Sequence, residues 1–271
     1  MNRLDNALHE LSEMDGLAQN TSPVHRLGPL TKLLTTLIFI IFVVSYNKYD
    51  LTGMVPMLLY VVILSQMSGI PLSTGLYKLR MVLPLVAAVG VINPFLDRVP
   101  VFTLGNITVT AGVISMLTLI LKGVLCLLAS FLLIATTPVE SLCYALRRLH
   151  VPGIIVTLLL LTYRYVSVLT REAATMTDAY HLRAPGQKGI HRSAWGSFFG
   201  QLLLRSMDKA EDLYSSMQLR GFASTSGNEF QYAAVRSDRS RDVLFFVIFT
   251  GFMVLVRFVN ISRLIGSLFI R

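Results

Sequence analysis

Acidic residues, cysteines and catalytic signatures are what this chain has least of. Only 14% of its 271 residues are charged, and 15 Asp or Glu stand against 24 Lys or Arg. With 54% hydrophobic residues and a mean hydropathy of +0.63, that scarcity excludes an ordinary soluble domain and indicates an integral membrane protein. The two cysteines, Cys126 and Cys143, stand alone without CxxC spacing, which gives no disulfide framework and no thiolate metal site. No GxxxxGK[ST] phosphate loop occurs, so the chain itself is not expected to bind ATP. HExxH, GxSxG and GxGxxG are missing too. No acidic pair falls within an apolar run, which disfavours a metal-dependent lipid enzyme and a carboxylate-based proton carrier. The first 29 residues lack an apolar stretch, so no cleavable signal peptide is expected. His9 and His25 lie in that segment without a ligand cluster around them and read as solvated surface rather than a metal site.

What is present is a series of apolar runs. Leu30 to Tyr46, Leu51 to Met67, Leu79 to Leu96, Ala111 to Thr136 and Val243 to Ile261 predict five membrane spans in an all-α protein. Lys32 is placed to snorkel at the start of the first span. Pro84 and Asn93-Pro94 interrupt the third, and Lys122 sits near the middle of the fourth, either as a functional group or as a structural pairing within the bundle. Between spans three and four, Val101 to Thr110 alternates around Gly105-Asn106 and predicts a small hairpin. Thr137-Pro138-Val139-Glu140 supplies an N-cap, a proline at N1 and an acid at N3 for a short amphipathic helix running to about His150.

The charge is unevenly spread. From Pro138 to Asp242 there are thirteen Lys or Arg and nine Asp or Glu, so over half of the basic residues lie in one stretch. In a membrane chain this marks the cytoplasmic side rather than a nucleic-acid surface. Gly153 to Thr170 is apolar enough to pass for a span. Arg147 and Arg148 precede it and Arg171, Arg183, Lys188 and Arg192 follow, so a crossing would export one basic flank. It is therefore read as a cytoplasmic or interfacial helix. The expected organisation is a cytoplasmic segment 1–29, membrane helices 30–136, a cytoplasmic coupling domain 137–242 ending in a polar linker from Asn228, and a last membrane helix with the carboxyl terminus, 243–271.

Two long helices dominate the basic stretch. Pro152 suits a first helical position, and Pro185-Gly186 stops that helix after a length on the order of 45 Å. A second runs from about Ser193 to Arg220, with Gly221 where a left-handed cap residue belongs. At 100° per residue, Leu158, Thr162, Tyr165, Leu169, Met176 and Tyr180 share one face of the first helix with Arg183. Trp195, Phe199, Leu202, Ala210, Leu213 and Met217 do so in the second with Arg220. A surface arginine normally lies on the polar side of a helix; these two extend the apolar stripe. A cation in the last turn also interacts favourably with the helix macrodipole, by roughly 0.3 to 1 kcal/mol, without any partner. That both arginines share one phase points beyond it, to docking.

These features resemble a known family over nearly the whole chain. The order of five membrane helices, a basic insertion, and two helices ending in Leu182-Arg183-Ala184 and Leu219-Arg220-Gly221 is similar to the transmembrane T component of energy-coupling-factor (ECF) transporters, the EcfT family. Thr162-Tyr163-Arg164-Tyr165, Leu182-Arg183-Ala184-Pro185-Gly186 and Gly200-Gln201-Leu202-Leu203-Leu204-Arg205-Ser206 resemble its cobalt-type branch, CbiQ. Where the family often carries Asp-Pro-Arg-x-Lys, this chain has Gly28-Pro29-Leu30-Thr31-Lys32, and nothing is carried over to those positions. The resemblance implies a coupling domain of two long crossing helices, and a multi-pass protein of a bacterial or archaeal cell membrane. It implies two ECF ATPase subunits as partners, each receiving one X-Arg-X arginine. It further implies a separate CbiM-like membrane subunit that captures Co2+ or Ni2+, and a small CbiN-like subunit. The chain would bind no cofactor of its own, ATP being used by the ATPases, and would be a non-catalytic subunit. Two rivals are the permease of an ordinary ABC importer and a lipid-modifying membrane enzyme. The first rests on Glu172-Ala173-Ala174, which resembles an EAA loop but has Met176 where that motif wants glycine. The second has only scattered polar candidates, His150, Arg164 and His181.

Overall fold

The structure is a computed structural model, and it describes residues 13, 15–20, 22–80, 82–96, 100–104, 107–187, 189–222 and 239–258. These form α1 (Pro29–Ser45), α2 (Leu51–Met54), α3 (Met57–Ser68), α4 (Leu72–Leu79), α5 (Leu83–Leu96), β1 (Pro100–Leu104), β2 (Ile107–Thr110), α6 (Ala111–Thr136), α7 (Val139–Arg148), α8 (Gly153–Arg183), a 3-10 turn at Arg192–Ala194, α9 (Trp195–Leu219) and α10 (Arg239–Phe258). The protein is an all-α membrane protein carrying one small antiparallel hairpin, β1 with β2, where the alternating sequence predicts it. Two compact units divide the chain. One holds residues 18–138 and 239–258; the other holds 139–222 with the described part of 13–17.

In the first unit, α1, α3, α6 and α10 form the core. Phe39 of α1 stacks on Tyr60 of α3 with ring centroids 4.3 Å apart, and Tyr60 meets Phe249 of α10 edge-on at 5.3 Å. Polar side chains of α1 are paid for locally: Thr35 donates to the carbonyls of Thr31 and Lys32, and Thr36 to that of Lys32. Two lysines tie α1 to α6 at opposite ends. Lys32 does not snorkel; it is buried, and its Nζ donates to the Thr136 carbonyl at the C-terminus of α6, 2.7 Å away. Lys122, midway along α6, donates to the carbonyls of Val44 and Tyr46 at the C-terminus of α1. Orphan carbonyls of a helix end thus receive a cation, which also suits the macrodipole. Of the two readings of Lys122, this contact is the structural one. Arg257 of α10 adds a third cation at the same end of α1, donating to the Ser45 carbonyl and lying 4.6 Å above the Tyr46 ring. On the other side of α6, Gly123 lets α5 approach closely; a Cβ there would come within 2.7 Å of Val86.

Several boundaries differ from the sequence reading. The second expected span is broken at Val55-Pro56 into α2 and α3, and α3 then bends by 112° into α4, a helix the sequence reading did not contain. Proline cannot donate to the preceding turn, and Gly69 takes the left-handed conformation (φ 72°) that ends α3. Leu79 therefore closes α4 instead of opening the third span. Pro84 lies in the first turn of α5, where its missing N–H is not needed, and Pro94 stays within the helix. Arg239–Asp242, expected in the linker, begin α10. The residues 228–238 and 259–261 of the expected linker and fifth span lie outside the described residues. By length and composition two described helices can cross a membrane, α6 and α8, or three if the bent pair α3–α4 is one span. α1, with 17 residues, is long enough for only about 26 Å, and α10 carries Arg241, Asp242 and Arg257.

In the second unit, α7 packs on the start of α8. Cys143 and Ala145 of α7 and Val156 of α8 are buried there, and Tyr163 donates to Asp15 at 2.5 Å. Pro152 serves as the N-cap of α8 rather than as its first helical residue. Beyond this patch little is covered: α8 buries only Val156 and Ala173, and α9 buries none of its residues.

Candidate functional site

The two X-Arg-X triplets close α8 and α9. Arg183 is the last residue of α8. Ala184 is its cap, donating its N–H to the Tyr180 carbonyl, and Pro185 and Gly186 (φ 95°) turn the chain away. The phenol of Tyr180 donates to Gln187 at 2.9 Å and accepts the N–H of His191, so the loop joining α8 to α9 is folded against the same turn that carries Arg183. At the end of α9, Arg220 is the cap residue and Gly221 takes φ 84°. Gly221 donates to the Gln218 carbonyl and Phe222 to that of Met217, the paired pattern of a Schellman motif. A left-handed residue is required at that point, and glycine adopts it without strain.

Exposure singles out the residues before the arginines. Leu182 is 83% exposed and Leu219 is 89% exposed, the two highest values among the large hydrophobic side chains described. Arg183 and Arg220 are also exposed, and among the described residues neither pairs with a carboxylate. The two tips are far apart. Arg183 shares a cleft with Ala194 and Ser197 at the start of α9, whereas Arg220 ends α9, about 37 Å further along its axis.

The predicted stripes are partly realised. Met176 and Tyr180 line the same cleft as Arg183, facing Ser197, Phe198 and Gln201 of α9. Further up α8, Leu158 is 58% exposed and Thr162 is exposed, while Tyr165 and Leu169 are half-buried. In α9, the half-buried positions include Phe198, Leu202, Arg205, Lys209, Leu213 and Met217, while the predicted Trp195, Phe199 and Ala210 are exposed. Leu202, Leu213 and Met217 belong to the predicted stripe, and a charge cluster lies beside them on the same side. Glu172 of α8 accepts from Arg205 Nη1 and lies 3.8 Å from Lys209 Nζ. The sequence reading placed Arg205 in a family phrase and Glu172 in the EAA-like motif of a rival reading, without joining them. Acid on one helix and two bases one turn apart on the next was the signal available. Among the described residues no group of His, Cys, Asp and Glu could hold a metal ion. Burial raises the Cys143 thiol above its ordinary value, assisted by the nearby Glu140 carboxylate.

Comparison with known proteins fits this arrangement. The family model of CbiQ, described as cobalt transport protein, matches residues 20–232. Over 247 residues, 86% of this chain and 90% of the relative, the chain is 26% identical to the energy-coupling factor transporter transmembrane protein EcfT of Ruminiclostridium cellulolyticum. It is 36% identical over 93 residues to the cobalt transport protein CbiQ of Rhodobacter capsulatus, covering 33% of this chain and 37% of that one. To the nickel permease LarQ of Lactiplantibacillus plantarum it is 31% identical over 87 residues, 32% of either chain. The chain therefore belongs to the CbiQ family of cobalt transport proteins, as a transmembrane component of an ECF-type cation transporter.

Proposed function

We propose that this protein is the T component that joins two cytoplasmic ATPase subunits to a separate, CbiM-like membrane subunit, with a small CbiN-like subunit, for uptake of Co2+ or Ni2+. The unit of α7 to α9 lies on the cytoplasmic side. Arg183 and Arg220 each enter a groove of one ATPase, with Leu182 and Leu219 filling apolar space beside them and Ala184 and Gly221 leaving room for close approach. This chain binds no cofactor and catalyses no reaction; ATP is bound and hydrolysed by the ATPases. Closure of the ATPase pair changes the angle between α8 and α9, and that movement reaches the substrate subunit.

The observation that carries this reading is the pair of Leu-Arg tips, bare and without a carboxylate partner among the described residues. A guanidinium offers a planar fork of donors suited to a carboxylate, and a leucine at nearly nine-tenths exposure stabilises nothing until a partner covers it. Their separation by the length of α9 suits two docking points on a dimer rather than one. Metals on both named relatives, cobalt and nickel, leave the cargo as a divalent transition cation. The reading is tested by Arg183→Glu with Arg220→Glu, followed by ATPase copurification and uptake of radioactive Co2+. Removing one partner of a buried charge pair costs about 3 to 5 kcal/mol, so the double variant should lose both signals at least about a hundredfold. Unchanged copurification and uptake would contradict the reading.

A further inference from the structure

We infer that Glu172 is a positioning residue, the pin about which α8 and α9 pivot. The inference rests on the coupling role proposed above and assigns the place where the two helices are held.

Three observations locate it. Glu172 is bonded to Arg205 and lies 3.8 Å from Lys209, and these are the ion pairs joining α8 to α9 among the described residues. Its carboxylate is the better covered partner, with its side chain 21% exposed against 43% and 36% for the two bases. Second, between this pin and the connecting loop the helices are not packed. A cleft of about 420 Å3 opens there, with Met176, Ala179 and Arg183 on one wall and Ser197, Phe198 and Gln201 on the other. Third, the loop beyond the cleft turns at Gly186 and Gly189, both at positive φ (95° and 84°), with Tyr180 bonded to it from α8.

Arranged in this order along α8, the ion pair, the unfilled cleft and the loop make a lever with a fixed point. A well-packed interface resists a change of angle because every side chain must repack. An open cleft does not, and a carboxylate bonded to one base with a second 3.8 Å away keeps its attraction through small rotations, since the interaction is less directional than knobs in holes. Arg183 lies on the cleft wall, on the far side of the pin from the start of α8. A force on Arg183 is therefore converted into rotation about Glu172 instead of sliding of one helix along the other. Without the carboxylate, Arg205 and Lys209 would be left facing α8 without their acidic partner.

The experiment uses the full chain with its copurified subunits and compares wild type, Glu172→Gln, and the exchange Glu172→Arg with Arg205→Glu. Glu172→Gln should keep its ATPases yet lower metal uptake per ATP hydrolysed about fivefold, the low end of ordinary coupling free energies. The exchange should restore most of the loss; the readout that a merely structural role would not move is uptake per ATP hydrolysed while the ATPases stay bound. In parallel, nitroxide labels at Ala179→Cys and Ser197→Cys report the width of the cleft in the isolated chain, with Cys126 and Cys143 replaced by Ser. One narrow distance distribution in the otherwise wild-type chain should broaden in Glu172→Gln and sharpen again in the exchange. Uptake per ATP and label distances both unchanged in Glu172→Gln would overturn the pin, as would a broadened distance that the exchange fails to sharpen. Wild-type chain that retains no ATPase would contradict the docking reading instead, and the label distances would then decide the pin by themselves.

Discussion

The unit built on α1, α3, α6 and α10 and the unit built on α7, α8 and α9 solve opposite problems with the same kind of sequence. In the first, aromatic rings from three helices interlock, glycine brings α5 against α6, and lysines close the helix ends. In the second, a helix of 25 residues buries none of them, and a neighbour of 31 residues buries two. Hydrophobicity alone does not separate them, since α8 is itself apolar enough to be a candidate span. The difference lies in what the apolar groups touch. In the first unit they are packed against one another within the chain; in the second most of them stay uncovered in this chain.

The contrast can be broken by substitution. In the bundle, Phe39→Ala removes a fully buried ring and should cost about 3 to 5 kcal/mol, read as loss of the folded protein on heating in detergent. Lys32→Met comes next: it leaves the buried Thr136 carbonyl without its donor and should cost about 1 to 3 kcal/mol by the same assay. Gly221→Ala forces a left-handed residue with a Cβ into the cap of α9 and should cost about 1 kcal/mol, with fraying at that end measurable by amide exchange. Least of all, Leu182→Ser and Leu219→Ser should change thermal stability by less than about 0.5 kcal/mol, because neither side chain is covered in this chain. If the leucine variants destabilised as much as Phe39→Ala, the two units would not differ in the way described. Cys143 sharpens the point from inside the second unit: only 2% exposed and with its thiol held neutral, it should resist alkylation at neutral pH until the α7–α8 patch opens.

Much of this was legible in the residues. The limits of α6 follow from Thr110 and Thr136 bounding an apolar run broken only by Lys122 among charged residues, and the hairpin from alternation about Gly105-Asn106. The ends of α8 and α9 were readable because Pro185-Gly186 and Gly221 act locally, through dihedral preference. What was not legible depended on contacts distant in sequence. Nothing near Lys32 says that its ammonium meets a carbonyl at Thr136 rather than the bilayer surface. The bend from α3 to α4 has no local signal: Ser68-Gly69-Ile70-Pro71 reads as the end of a span, and no second helix is expected so soon after it. The covered face of α9 was hidden for a related reason: periodicity ranks Trp195 and Phe199 above Arg205 and Lys209, whose partner Glu172 is distant in sequence.

The central claim is that the bare Leu-Arg tips are where the ATPases bind. Photocrosslinking from a benzoylphenylalanine placed at Leu182, and separately at Leu219, in membranes containing the assembled transporter tests it most directly. The account predicts an adduct with an ATPase subunit from each position. Adducts with lipid alone, or none with an ATPase from either tip, would contradict it.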